Sequence, residues 1–285
     1  MSLTPRQLVL QPRDLNVLQG LFEMRLMTRP QLGDLYFNGN QGSARQRIRK
    51  LKNAGYIAER PGRKPYARVP LYLTKKGYLT LRKAGLLGQY PIATWKTMRN
   101  RPYIKDTTLL HELELMDVCA SFVHALQDHP EYQLEQLSTW TSLFAFYTFR
   151  HHRRVTIRPD GFVCLMNPSD KEIAFFIEYD RGTEQLKTLL AKVKAYYDYS
   201  RSGRYASWRK TFPGDHHHKP AFRLLFIVKS EYRRKNIAVL LLKHGFRQLV
   251  WIAVFEDAIR DPLGPIWQRP SDYAEAELKG CRLLA

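Results

Sequence analysis

Between Arg45 and Lys52 the chain places five cations in eight residues: Arg45, Arg47, Arg49, Lys50 and Lys52. The surrounding stretch, NQGSARQRIRKLKNAGYI from Asn40 to Ile57, predicts one amphipathic helix. Ala44, Ile48 and Leu51 fall on one face at helical spacing, and the cations fill most of the remainder. Ser43 is expected at the N-cap, where a hydroxyl accepts from an orphan backbone N–H, and Gly55 where the helix stops. Charges of one sign repel across a helix surface, so folding alone is a poor reason for this density. A solvated basic face is one reading; neutralisation by a nucleic-acid duplex is the other.

The distribution of charge favours the second. The formal net charge is +20. Residues 1–105 hold 21 Lys+Arg against 4 Asp+Glu, whereas residues 106–285 hold 25 against 22. A generally sticky surface would spread its charge; a basic end points to a polyanion held by that end. The length, 285 residues with 44% hydrophobic content, suits two domains with a core each. Cys119, Cys164 and Cys281 show no CxxC spacing, hence no zinc or disulfide framework, and a reducing cytoplasmic setting is expected. MSLTPRQLVLQPRD contains no apolar core of signal-peptide length, and no apolar run approaches the ~18 residues of a membrane span, so no membrane role is expected.

Along the first domain, Pro12 to Met27 predicts a helix, Arg29 to Tyr36 a short helix capped by Thr28, and Phe37 to Asn40 a turn. The basic helix follows. Tyr56 to Arg60 and Val69 to Leu73 predict strands around a basic loop, Pro61 to Pro65, and Thr74 caps a helix from Lys75 to Ala84. This order, with LKNAGYI at 51–57 and YLTKKG at 72–77, resembles the winged helix-turn-helix superfamily. The resemblance implies that the basic helix enters the major groove and the hairpin touches flanking backbone. Arg45, Gln46 and Arg49 are the candidates for base contacts; Arg47, Lys50, Lys52, Lys75 and Lys76 are expected among the further contacts, largely to phosphate. Arg60, Arg63, Lys64 and Arg68 would belong to the wing. Winged helices also dock proteins, a reading in which the cations only solubilise. The expected boundaries are a winged helix over 1–86, a basic Gly/Pro-containing linker over 87–104 and a second domain over 105–285.

The second domain predicts a helix from Thr107 to Leu126, strands at Tyr132–Leu137, Leu143–Phe149, Val155–Met166 and Glu172–Tyr179, and a helix from Thr183 to Tyr199. A strand at Phe222–Val228, a helix at Ile237–Leu242 and a strand at Leu249–Phe255 complete an α/β arrangement with a mixed sheet. Asp160 precedes one strand; Glu178 and Asp180 end its neighbour on one face. Three converging acids repel unless a cation compensates them. A divalent metal for phosphodiester chemistry is one compensation, and structural pairing with Arg158, Arg181 or Lys187 is the other. The histidines at 216–218 and those at 151–152 read as loop or turn residues, and Tyr196, Tyr197 and Tyr199 as packing residues. No phosphate-binding glycine loop is present in the sequence.

PDGF at Pro159 to Phe162, FIEYDRGTE at Phe176 to Glu184 and KAYYDY at Lys194 to Tyr199 together resemble the plasmid replication-relaxation protein family. The resemblance implies an N-terminal winged helix joined to a PD-(D/E)XK nuclease-like (restriction-endonuclease-like) domain, and a role in plasmid or mobile-element replication, relaxation or transfer. It makes Asp160 and Glu178 the acids that would hold Mg or Mn, and Glu112 an additional acid. Asp180 stands where that pattern has a lysine; Lys187, Lys192 or Lys194 from the next helix would supply the missing cation. The expectation is a sequence-specific duplex-DNA-binding protein with a degenerate nuclease-like domain. The alternatives are a Mg- or Mn-dependent nickase using Asp160 and Glu178, and a transcriptional regulator of the element's own genes. Replication or relaxase proteins of the element are possible partners, and a homodimer is compatible with half-site symmetry.

Overall fold

The computed structural model describes residues 8–61, 68–88, 90, 94–150, 153–210, 221–274 and 282–284. The chain divides into two compact units, 1–120 and 121–285.

In the first unit, α1 (Pro12–Glu23) buries Val17, Leu18, Leu21 and Phe22. After β1 (Met27–Thr28) come α2 (Arg29–Tyr36) and α3 (Gln41–Asn53). Gly20 lets α1 approach Tyr36 closely: a Cβ there would sit 1.8 Å from the Tyr36 hydroxyl. α3 buries Ala44, Ile48 and Leu51, the face expected from their spacing. Its N-cap is Asn40, whose Oδ1 accepts from the Ser43 N–H at 2.9 Å, rather than Ser43 itself. Gly55 follows the helix at φ +76°, a left-handed turn that suits a residue without Cβ. β2 (Ile57–Glu59) and β3 (Pro70–Leu73) pair antiparallel, and β3 also pairs with β1, giving the order β1-β3-β2. Thr74 caps α4 (Lys75–Lys83) by accepting from the Gly77 N–H at 3.2 Å.

A short helix, α5 (Trp95–Met98), and a 3-10 turn (Arg101–Tyr103) precede α6 (Asp106–Ala125). The division at Ala120 falls inside α6, later than the expected boundary near residue 104. Side chains of the first unit bind the first half of that helix, which explains the difference. Gln31 Nε2 donates to the Leu113 carbonyl at 2.7 Å, Arg25 pairs with Glu112 at 3.0 Å, and Arg68 pairs with Asp117 at 2.5 Å. The described end of the expected linker is held too: Arg60 donates to the carbonyls of Pro102 and Ile104 at 2.9 and 2.7 Å.

In the second unit, β4 (Gln133–Ser138) is followed by a short helix, α7 (Thr141–Phe144), and by β5 (Phe146–Arg150). The expected strand from Val155 to Met166 is two strands, β6 (Arg153–Ile157) and β7 (Gly161–Met166). Pro159 lies in the break, where a residue without an N–H cannot continue a ladder. β8 (Glu172–Asp180), α8 (Leu186–Arg201), α9 (Arg204–Arg209), β9 (Phe222–Val228), α10 (Glu231–Lys243), β10 (Val250–Val254) and α11 (Phe255–Arg260) complete the unit. The main sheet has the order β10-β9-β8-β7-β4. β8, β9 and β10 are parallel; β7 runs antiparallel to both β8 and β4, so the sheet is mixed as expected. β5 and β6 form a separate hairpin.

The core of this unit is rich in rings. Phe176 on β8 lies within 5.1 Å of Phe162 and 4.8 Å of Phe222, and Phe146 stacks on Tyr199 at 4.0 Å between centroids. Offset and edge contacts of this kind add to the apolar burial. They also fix α8, through Tyr196 and Tyr199, over the strand that bears Glu178. No helix among the described residues is long and apolar enough to cross a membrane.

Candidate functional site

Five exposed cations of the first unit meet at a groove of about 390 Å³ between α3, the start of α2 and the β2–β3 pair. Arg29, Arg45, Arg49, Lys52 and Arg68 line it, opposed by the single acid Glu59. Lys52 pairs with Glu59 at 2.7 Å and Arg68 with Asp117, so part of the charge is compensated within the fold. Arg29, Arg45 and Arg49 have no acid partner among the described residues. A concave, partly apolar surface with three uncompensated guanidinium groups suits a ligand with regularly spaced negative charge and flat edges that accept hydrogen bonds.

The structure sorts the other expected contacts. Gln46 and Lys50 are exposed on α3 but do not line the groove. Arg47 turns inward: its Nε donates to Asp14 Oδ1 at 2.7 Å, its Nη2 to the Val9 carbonyl at 2.9 Å, and Asp14 is fully buried. Arg47 therefore ties α3 to α1, and its guanidinium is not presented to a ligand. Arg60 is likewise occupied, by two carbonyls and by Asp106 at 3.0 Å. Lys76 caps α3 by donating to the Ala54 carbonyl at 2.7 Å and lies over the Tyr56 ring. Lys75 is exposed and lines a different cleft. Arg63 and Lys64, like the histidines at 151–152 and 216–218, lie outside the described residues. Arg29 carries no sequence signal of its own; it reaches the groove because β1 pairs with β3 and so sets the start of α2 against the hairpin.

In the second unit, β8 carries Glu178 and Asp180 toward α8 and α10. Glu178 is buried, with Lys192 Nζ 2.9 Å from Oε2 and the Tyr196 hydroxyl donating to Oε1 at 2.5 Å. Lys192 and Tyr196 lie one turn apart on α8, which places both donors over the same carboxylate. Asp160, at the turn into β7, accepts from the Tyr179 N–H at 2.8 Å. Burial, and then the nearby Asp160 charge, push the Glu178 carboxyl up to about 7, against the opposing pull of Lys192 and Tyr196. Glu178, Glu184 and Asp160 hold the Lys192 ammonium in its charged form against the penalty of burial. Asp180 is engaged elsewhere: Arg233 Nε donates to Oδ2 at 2.7 Å and the Gly182 N–H to Oδ1 at 2.8 Å.

The structure thus brings Asp160 and Glu178 together and supplies a cation from α8. That cation is Lys192, not Lys187, which is exposed and pairs with neither acid among the described residues. Glu112 belongs to the first unit, where Arg25 holds it. A hard divalent cation needs carboxylate oxygens with lone pairs left open. Both oxygens of Glu178 and both of Asp180 already accept from protein donors. Among the described residues no group of three or more His, Cys, Asp or Glu is arranged to hold a metal ion. Each of the Glu178 and Asp180 oxygens keeps a second lone pair, so the protein donors narrow the room for a divalent cation between Asp160 and Glu178 without closing it. Sequence reasoning missed the Tyr196 hydroxyl and Arg233 as partners of these acids; the Lys-x-x-x-Tyr spacing on α8 was the available signal.

No curated protein matches the chain. One solved structure with slight likeness is the restriction endonuclease FokI, at TM-score 0.29 and 14% identity, over 87% of this chain and 42% of that one. The chain thus spans less than half of that enzyme's length, and so slight a likeness carries no weight for the fold or the chemistry. The sequence model of the replication-relaxation family, by contrast, matches residues 18–214, from α1 through the acidic strand and α8. The match takes in both the basic groove and the Asp160–Glu178–Lys192 cluster, and the chain belongs to the replication-relaxation family.

Proposed function

We propose that the protein binds duplex DNA sequence-specifically through its first unit, a winged helix, in the replication or relaxation of a plasmid or other mobile element. The observation that carries this reading is the groove lined by Arg29, Arg45 and Arg49, with no acid paired to any of them among the described residues. Arg45 and Arg49 lie one turn apart on α3, so both can meet base edges in one major groove, while Arg29 at its margin meets phosphate. The second unit, restriction-endonuclease-like in this reading, acts as a scaffold: its acids are engaged by Lys192, Tyr196 and Arg233, which narrows the room for a metal. The test is a binding selection from random duplexes with the full chain. An enriched motif that Arg45→Ala and Arg49→Ala degrade supports the reading; no enrichment overturns it.

A metal-dependent nickase is the second reading, favoured by the juxtaposition of Asp160, Glu178 and an ammonium group. Incubation of supercoiled plasmid with Mg or Mn decides it. Nicking that Asp160→Ala and Glu178→Ala both abolish establishes the nickase; intact plasmid together with normal duplex binding leaves the scaffold.

A further inference from the structure

β3 separates two basic surfaces that differ in their lining. Successive residues of a strand face opposite sides, and here Leu71 lines the basic groove while Tyr72 lines a second cleft, of about 460 Å³. The second cleft is walled by three aromatic rings, Tyr72, Trp95 and Tyr103, and by the cations Lys75 and Arg99. Tyr103 is 67% exposed, a large ring left in water. Trp95 is steadied from behind by the buried Tyr78 ring, 5.9 Å away between centroids. The segment bearing Tyr103 is not loosely attached. The Arg60 guanidinium grips the carbonyls on either side of it, at Pro102 and Ile104, and Asp106 beyond. Arg60 is thus used to hold a ring out rather than to reach a ligand itself.

Rings interleaved with cations in an open cleft are a poor match for a duplex, whose bases are stacked and whose faces are hidden. They match a single strand, in which each unpaired base offers a face to an aromatic ring and the backbone offers a phosphate to Lys or Arg. We infer that the cleft of Tyr72, Trp95 and Tyr103 is a binding site for single-stranded nucleic acid, on the opposite side of β3 from the duplex-binding groove. Lys75 and Arg99 meet the phosphates, and Tyr103 stacks on a base. The inference stands apart from the duplex reading, because the two surfaces share no lining residue.

The test uses the full chain, fluorescein-labelled oligo-dT and oligo-rU, and a blunt duplex, read by anisotropy. Tyr103→Ala weakens oligo-dT binding about tenfold, the size expected for losing one stacked base, and leaves duplex binding unchanged. Tyr103→Phe keeps the ring and keeps the affinity. Lys75→Ala weakens single-strand binding and flattens its salt dependence. Arg49→Ala gives the reverse pattern, a loss on duplex alone. If oligo-rU is held more tightly than oligo-dT, with the same loss in Tyr103→Ala, the site stands and its ligand is RNA. Unchanged single-strand affinity in Tyr103→Ala, or an equal loss on duplex and single strand, overturns the inference.

Discussion

Arg29, Arg45 and Arg49 line a groove of the first unit without an acid partner among the described residues, whereas in the second unit Glu172, Glu178 and Asp180 each meet a cation. Arg209 donates to Glu172 through both Nε and Nη2, Lys192 meets Glu178 and Arg233 meets Asp180. These three acids of the second unit are closed within its fold; the groove of the first unit leaves a set of one sign facing outward. A charge compensated inside the fold is part of that fold, and removing its partner costs stability. An uncompensated, exposed charge costs little to remove, and its loss is felt only when the ligand is present. Stability and binding should therefore separate cleanly between the two regions, and each measurement below can break that separation.

The largest effect is expected at Glu178. Glu178→Ala leaves the Lys192 ammonium, three-quarters buried, with only Glu184 at 3.3 Å as an acid partner among the described residues, and leaves the Tyr196 hydroxyl without the carboxylate it donates to. Breaking a buried pair from one side costs about 3 kcal/mol. Urea denaturation should show that loss while the affinity of the folded protein for duplex DNA stays at the wild-type value. A loss below about 1 kcal/mol would place the pair with weak surface bridges and remove the contrast between the units.

The same separation exists within α3, two residues apart. Arg47→Ala strands the fully buried Asp14 and should cost about 2 kcal/mol of stability. Arg49→Ala should change stability by less than about 0.5 kcal/mol, as for other surface substitutions. It should instead reduce discrimination between duplex sequences by about 1–3 kcal/mol, the worth of one bidentate base contact. If Arg47→Ala impairs binding at full stability, the inward and outward roles have been exchanged.

That pair also shows what the sequence made legible. The buried stripe Ala44–Ile48–Leu51 follows from spacing alone, and α2, α3, β2, β3 and α4 fall where apolar periodicity and turn residues put them. β1 at Met27–Thr28, expected as the end of the first helix and the cap of the next, and α5 at Trp95–Met98, expected as linker, do not. At about 100° per residue, Arg47 lies some 60° from Ala44, beside the buried stripe, while Arg45, Arg49 and Lys52 cluster on another side. The distinction was thus present in the helical wheel, but its meaning needed Asp14, 33 residues away in sequence. In the second unit the acidic strand and the mixed sheet were legible from apolar runs ending in acids. The break at Pro159 and the helix at Thr141–Phe144 were not read, because a local apolar pattern was allowed to run through a proline and a turn. Lys192 could be placed only among three helix-borne lysines, since which face of α8 meets β8 is set by the ring packing of Tyr196 and Tyr199.

Titration sharpens the comparison from the acidic side. Glu178 has an ordinary carboxyl value of 4.5 and is pushed up to about 7 in the fold. Below pH 4.5 it is protonated in both folded and unfolded chains. Between the two values the unfolded chain releases its proton first and the folded chain keeps it, so stability falls as pH rises. Above about 7 the loss is complete and constant. Glu178→Gln removes the titration while keeping the shape. The stability of the wild type relative to Glu178→Gln should decline by about 3 kcal/mol between those limits. A rise across the same window would mean that Lys192 outweighs burial and Asp160, and that the carboxylate is held charged.

The smallest expected effect lies at the margin of the basic groove. Arg29 stands at the start of α2, beside Arg45 and Arg49 but on a different element, and is assigned to a phosphate rather than a base. Each phosphate neutralised releases condensed counterions, so the logarithm of affinity falls with the logarithm of salt by a slope of about 0.9 per contact on duplex DNA. Arg29→Ala should therefore flatten that slope by about 0.9, weaken specific and nonspecific duplexes alike, and leave the ratio between them intact. Arg49→Ala should lower that ratio. A change of ratio in Arg29→Ala would move it among the base contacts. An unchanged slope would confine the ligand to the α3 side of the groove, leaving the start of α2 exposed for a reason unconnected with DNA.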